Sequence, residues 1–123
     1  MNKFKSLAFA FVLGIFAISC GDDDSSAPVV NIATPTASST FAVTDTISLT
    51  GNVTEDTKLA SVAITSDLGI NETVTAVDSD TAHVFNYSIT LDTLTTAGDY
   101  TLTVTATDDA GNVGTDDVQI TVQ

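Results

Sequence analysis

A two-sheet β-sandwich is the fold class this chain predicts, and three observations predict it. Apolar residues alternate with polar ones at period two through most of residues 28–123. Runs of this kind recur at short, regular spacing, with Gly, Asp, Asn or Pro between them. No segment beyond residue 20 has the spacing of an amphipathic helix. Strict alternation marks a strand with one buried and one wet face, and seven such strands point to two sheets packed face to face. The chain is therefore read as all-β.

The strands follow in order. Strand A spans 28–33, where Pro28 is tolerable at a strand start or sheet edge. A long, loose connection with Pro35 and small polar residues comes next. Strand B, 46–53, turns Ile47, Leu49 and Val53 inward. Strand C, 58–65, puts Ala60, Val62 and Ile64 on one side. Asp67-Leu68-Gly69 is a turn signal. Strand D covers 70–77 with Ile70, Val74 and Ala76 in phase. Strand E, 83–91, places Phe85, Tyr87, Ile89 and Leu91 on one face. Strand F sets Tyr100, Leu102, Val104 and Ala106 against four threonines. Strand G closes the chain with Val118, Ile120 and Val122 inward. Outward Thr suits a pleated surface, because β-branched side chains pack well there.

Residues 1–26 are different in kind. Lys3 and Lys5 open the chain, Leu7 to Ile18 is an apolar run, and Ala17-Ile18-Ser19-Cys20 ends it. The run has signal-peptide length and falls short of the roughly 20 residues of a membrane-spanning helix. This pattern resembles a bacterial lipoprotein signal. The resemblance implies that residues 1–19 are removed and that Cys20, the only cysteine, is acylated. Two acyl chains suffice for stable membrane anchoring. Residues 20–27, with Gly21-Asp22-Asp23-Asp24-Ser25-Ser26 after Cys20, read as a flexible, solvated tether. The acidic run also resembles export signals of surface-exposed lipoproteins. The expected location is the outer membrane, surface-exposed, with a periplasm-facing position as the alternative.

Charge narrows the partners. All 16 acidic residues lie beyond Cys20, and Lys58 is the one basic side chain there, for a formal charge of about −15. Such a field repels nucleic acid and anionic headgroups and favours cations or a basic protein partner. One cysteine allows no internal disulfide, so residues 28–123 must hold together by packing.

The strand ends make the resemblance specific. Leu94-Thr95-Thr96-Ala97-Gly98-Asp99-Tyr100 looks like the tyrosine corner of Ig-like and fibronectin-type sandwiches, in which a Tyr opening strand F bonds back to upstream backbone. Ala106-Thr107-Asp108-Asp109-Ala110-Gly111-Asn112 is similar to the F–G turn of bacterial Ig-like and cadherin-like domains. The domain at 28–123 thus resembles the single Ig-like domain of small bacterial lipoproteins. A seven-stranded Ig-like β-sandwich is implied, with Tyr100 in a structural role. The two-cysteine, one-tryptophan pattern of antibody domains is absent.

No catalytic constellation stands out. His83 is the sole histidine and there is no G-x-S-x-G, so neither an enzyme nor a small-molecule substrate is expected. Calcium is the sharpest ligand hypothesis. In Ig-like topology the B–C, D–E and F–G loops and the start of strand A meet at one end. Those loops hold Glu55 and Asp56, Asp78 and Asp80, then Asp108, Asp109 and Asn112. A hard cation takes six to eight oxygens, which these residues supply, and Asp78-Ser79-Asp80 resembles the D-x-D elements of cadherin-like domains. The bland alternative is that Asp and Asn simply form turns. Thr46, Thr81 and Thr93 each follow Asp and precede an apolar residue, a pattern of bacterial O-glycosylation. Three N-x-S/T sequons at Asn52, Asn71 and Asn86 read as coincidence. Phe41 alone among the mature aromatics looks free, which argues against a glycan platform. The expected role is a non-catalytic envelope module acting through protein contacts. The alternatives are a calcium-stabilised adhesion module and an accessory lipoprotein of glycan uptake.

Overall fold

The computed structural model describes residues 24–75 and 77–123. Cys20, residues 1–19, the first part of the tether and Ala76 lie outside the described residues. Eight strands form two sheets: β1 (Val29–Thr34), β2 (Ser39–Phe41), β3 (Thr46–Thr54), β4 (Leu59–Ser66), β5 (Asn71–Val74), β6 (Ala82–Thr90), β7 (Gly98–Asp108) and β8 (Val113–Val122). One sheet has the order β1-β3-β6 and the other β2-β8-β7-β4-β5. Among the described residues no helix is long and apolar enough to cross a membrane.

The period-two pattern sets the inner faces. Ile47, Leu49, Phe85 and Ile89 come from the first sheet, Leu102, Val104, Ile120 and Val122 from the second, and all are buried in one cluster. Each fully buried Val, Leu or Ile stabilises the fold by about 1.5–3 kcal/mol relative to exposure. Gly51 is part of this packing. It pairs directly with Phe85 across β3 and β6. A Cβ there would run into the Asn31 carbonyl oxygen and the tip of the Phe85 ring, so the ring fills the space a side chain would take.

Three details depart from the sequence reading. The loose A–B connection contains β2, which adds parallel to β8 through Ser39, Thr40 and Phe41. Three residues are too few to carry a period, and the strand is fixed by its neighbour. Phe41 is accordingly half-buried against the core, not free. In β4, pairing with β7 slips between Leu59 and Ser61, a bulge that brings Leu59 into the core and leaves Ala60 half-buried. Strand D is the four-residue β5, and it pairs with β4; Ile70 lies before it.

One further bond joins the sheets. Asp116 on β8 accepts the Ile32 N–H of β1 at 3.0 Å, next to a register shift between Ile32 and Thr34.

Leu49→Ala should cost about 2–5 kcal/mol in denaturant unfolding, as expected for a buried leucine. Gly51→Ala should cost about 1–3 kcal/mol, because the Asn31 backbone cannot move aside cheaply. A Gly51→Ala protein as stable as the native one would contradict the packing described.

Candidate functional site

Backbone bonds gather three loops and the N-terminal segment at one end of the sandwich. The β3–β4 loop is held on both sides. On one side Glu55 N–H donates to the Thr81 carbonyl at 2.9 Å and Leu59 N–H to the Asp80 carbonyl at 2.7 Å. On the other, Asp109 N–H donates to the Lys58 carbonyl at 2.9 Å. The N-terminal segment arrives because Gly114, at the start of β8, lets the Pro28 backbone lie directly against it; any Cβ would collide with the Pro28 carbonyl.

Three carboxylates meet there. Asp24, Glu55 and Asp108 each offer an oxygen, all within 4.8 Å of one another. Asp108 is 2 % exposed. Its Oδ1 accepts the Asn112 backbone N–H at 2.8 Å and its Oδ2 the Asn112 amide at 2.8 Å. The same amide nitrogen donates to the Asp24 carbonyl oxygen at 2.9 Å. Asp24 Oδ2 accepts the Thr57 hydroxyl at 2.6 Å. Glu55 is 8 % exposed. Its Oε1 takes the N–H groups of Asp56 and Thr57 at 2.6 and 3.2 Å, while its Oε2 is buried with no hydrogen-bond partner. An open hollow of about 310 Å³ adjoins the group, lined by Ser26, Ala27, Val29, Thr54, Glu55 and Asp56.

The surroundings shift these acids in different directions. Burial, together with the adjoining Asp56, raises Glu55 above the usual carboxylate range, against the backbone N–H bonds to its Oε1. Asp56 is held low, chiefly by its interaction with the Glu55 carboxyl. Burial also works against ionisation of Asp108. The donors of Asn112, Ala110 and Gly111 outweigh it and hold Asp108 below its usual range.

Not all the residues assigned to this end join the group. Asp109 pairs with Lys58 at 3.4 Å on the exposed rim. Asp78 turns to β6: its carboxylate accepts the Val84 N–H at 2.8 Å and lies 3.3 Å from Nδ1 of the buried His83. Asp80 contributes its backbone carbonyl to Leu59. Asp24, which the sequence assigns to the tether, takes their place. Its signal was the acidic run ending four residues before Pro28, at the end where strand A begins. Elsewhere, Tyr100 donates its hydroxyl to the Thr96 carbonyl at 2.6 Å. Thr46, Thr81 and Thr93 are exposed. Cys20 lies outside the described residues.

Comparison with known proteins bears on the fold. A family model described as "Bacterial Ig domain" matches residues 28–104. Among solved structures, the fibronectin(III)-like modules of Clostridium thermocellum CbhA superpose with a TM-score of 0.58 at 19 % identity, over 79 % of this chain and 47 % of that one. The chain thus spans about half the length of that structure. The PKD1 domain of Vibrio anguillarum Epp gives a TM-score of 0.50 at 26 % identity, over 81 % of this chain and 98 % of that one. A DUF4466 family protein from Parabacteroides merdae gives 0.53 at 14 % identity, over 77 % and 45 %. No curated protein matches the chain.

Two predictions follow from the geometry. Asn112→Ala removes the tie between Asp24 and Asp108. It should cost about 1.5–3 kcal/mol, because the bond lost is to a buried carboxylate, and speed hydrogen exchange at Ser26 and Ala27, with β7 and β8 amides little changed; unaltered exchange at 26–27 would contradict the tie. A carboxyl raised on folding opposes stability as pH climbs through its titration range. In chelator, Glu55→Gln should therefore melt higher than the native chain near pH 7. That gain should vanish below about pH 4, where glutamate is protonated in both states. The check is melting temperature against pH for both proteins.

Proposed function

The chain belongs to the bacterial Ig domain family, and from that premise we propose that it is a non-catalytic binding module held at a bacterial envelope by a lipid on Cys20. Ig-like, PKD and fibronectin type III-like folds are typically non-catalytic adhesion or structural modules. The lipid reading is supported by the leader, in which an apolar run ends in Ala17-Ile18-Ser19-Cys20 before an acidic tether. The module faces outward from the outer membrane and works through contacts with another envelope or extracellular protein. It takes neither nucleic acid nor a small-molecule substrate.

The open edge of β6 is the observation that carries the binding role. The strand is nine residues long, and among the described residues it pairs only with β3. Its register with β3 runs without a shift from Thr46↔Thr90 to Thr54↔Ala82. The Val84 N–H points away from β3 to the Asp78 carboxylate. By the alternation of an antiparallel ladder, the N–H groups of Asn86 and Ser88 point the same way. Such an edge is a template for a partner's extended segment. Natural edges are often blunted by Lys, Pro or a bulge, and β6 has none of these.

Two experiments test the reading. Cys20→Ser should abolish labelling by radioactive palmitate and move the protein from the membrane to the soluble fraction; a variant that still labels and sediments would contradict anchoring through Cys20. A photo-crosslinking residue at Ser88 should give a discrete adduct in cells, while one at Thr115 on the other sheet gives none. Asn86→Pro should remove that adduct and leave the β3 ladder intact. Equal labelling from both positions, or none from Ser88, would count against the edge.

A further inference from the structure

We infer that Asp24, Glu55 and Asp108 form a divalent-cation site of the calcium class, and that the ion fastens the N-terminal tether to the loop end of the sandwich. Three observations bear on it. The three carboxylates come from segments far apart in sequence, yet each offers an oxygen within 4.8 Å of the others. Oxygens sharing one calcium ion at about 2.4 Å can be separated by at most about twice that distance. The group therefore has the size of one coordination shell.

Unpaired charge is the second. Lys58, the one Lys or Arg in residues 24–123, is engaged with Asp109 at 3.4 Å on the rim. Among the described residues no Lys or Arg pairs with the three acids.

The decisive observation is Glu55. The residue is more than nine-tenths buried and its Oε1 accepts two backbone N–H groups. Its Oε2 is buried and has no donor, and its carboxyl brings an oxygen within 4.8 Å of those of Asp24 and Asp108. Buried polar atoms in native structures are almost always satisfied, so an orphan among acids signals a missing positive partner. The other two carboxylates are already aimed by neighbours, Asp108 by Asn112 and Asp24 by Thr57. Donor type selects the metal. An all-oxygen set with neither Cys nor His suits a hard cation, and carboxylates converging from three separate segments suit calcium better than magnesium, which keeps several of its own waters. The adjoining hollow gives water access for the remaining positions.

This inference goes beyond the binding role proposed above and stands whether or not Cys20 carries lipid. If it does, the ion shortens the tether. Only three residues, Gly21 to Asp23, then separate Cys20 from a fixed point on the domain, a span of about 14 Å at full extension.

The test uses the full chain, purified in detergent and stripped with chelator. Calcium chloride is titrated at constant ionic strength by calorimetry. One saturable site per chain is expected, with a Kd of about 10⁻⁴ to 10⁻³ M, the range of extracellular calcium modules. The melting midpoint should rise by several degrees at saturation. Glu55→Gln and Asp24→Asn should each weaken binding tenfold or more, and circular dichroism should find both folded. Asp80→Asn, at the same end but outside the group, should bind within twofold of the native chain. Calcium should slow exchange at Ser26 and Ala27 in the native chain and not in Asp24→Asn. No saturation by 20 mM calcium would overturn the site, as would undiminished binding by Glu55→Gln or equal weakening by Asp80→Asn. Magnesium binding as tight as calcium would overturn the assigned class.

Discussion

Contact between the two inner faces carries the rest of this structure. There is no internal disulfide, and one lysine among residues 24–123 leaves little room for ion pairing. Ile47 and Leu49 on one sheet, with Leu102 and Ile120 on the other, are wholly buried. Their contact holds the strands in register and so brings three loops to one end. The loop end has no core of its own. It is placed by β3, β4, β6, β7 and β8, and by the Pro28 backbone lying against Gly114.

The excess of acid makes this end distinctive. Several carboxylates in the domain do local work as acceptors for backbone N–H groups. Asp45 takes the N–H of Ala42, Asp67 that of Thr101, Asp92 that of Leu94 and Asp116 that of Ile32. Each closes a turn or joins two strands. Asp24, Glu55 and Asp108 differ, because they crowd together and leave a buried oxygen unmatched. Solvated turns account for the first set. They leave the second unexplained, and a bound cation is the simplest means of supplying the missing charge.

How much of this could be read from the chain depended on the length of the pattern. β3, β6, β7 and β8 alternate over nine or more residues, and their inward sets follow from parity alone. β2 has three residues and exists because β8 offers an edge, so no local pattern marks it. At Ala60 a bulge breaks parity, an event set by pairing with β7 rather than by residue type. The site divides the same way. Glu55, Asp108 and Asn112 stand at strand ends whose convergence the topology dictates. Asp78 was placed with them by its loop, yet its carboxylate is drawn to the open edge of β6 by the Val84 N–H. Asp24 was hidden in a run of flexible composition, since its role comes from contacts with Thr57 and Asn112 far along the chain.

The central claim is that the tether is part of the domain, joined to it through a shared ion. A crystal structure of the chain grown in calcium, with anomalous data, tests it most directly. The account predicts one anomalous peak with oxygens of Asp24, Glu55 and Asp108 at about 2.3–2.6 Å and Glu55 Oε2 among them. A calcium-soaked crystal with no peak there, Glu55 Oε2 bonded to a protein donor, and Asp24 free of the loop end would contradict it.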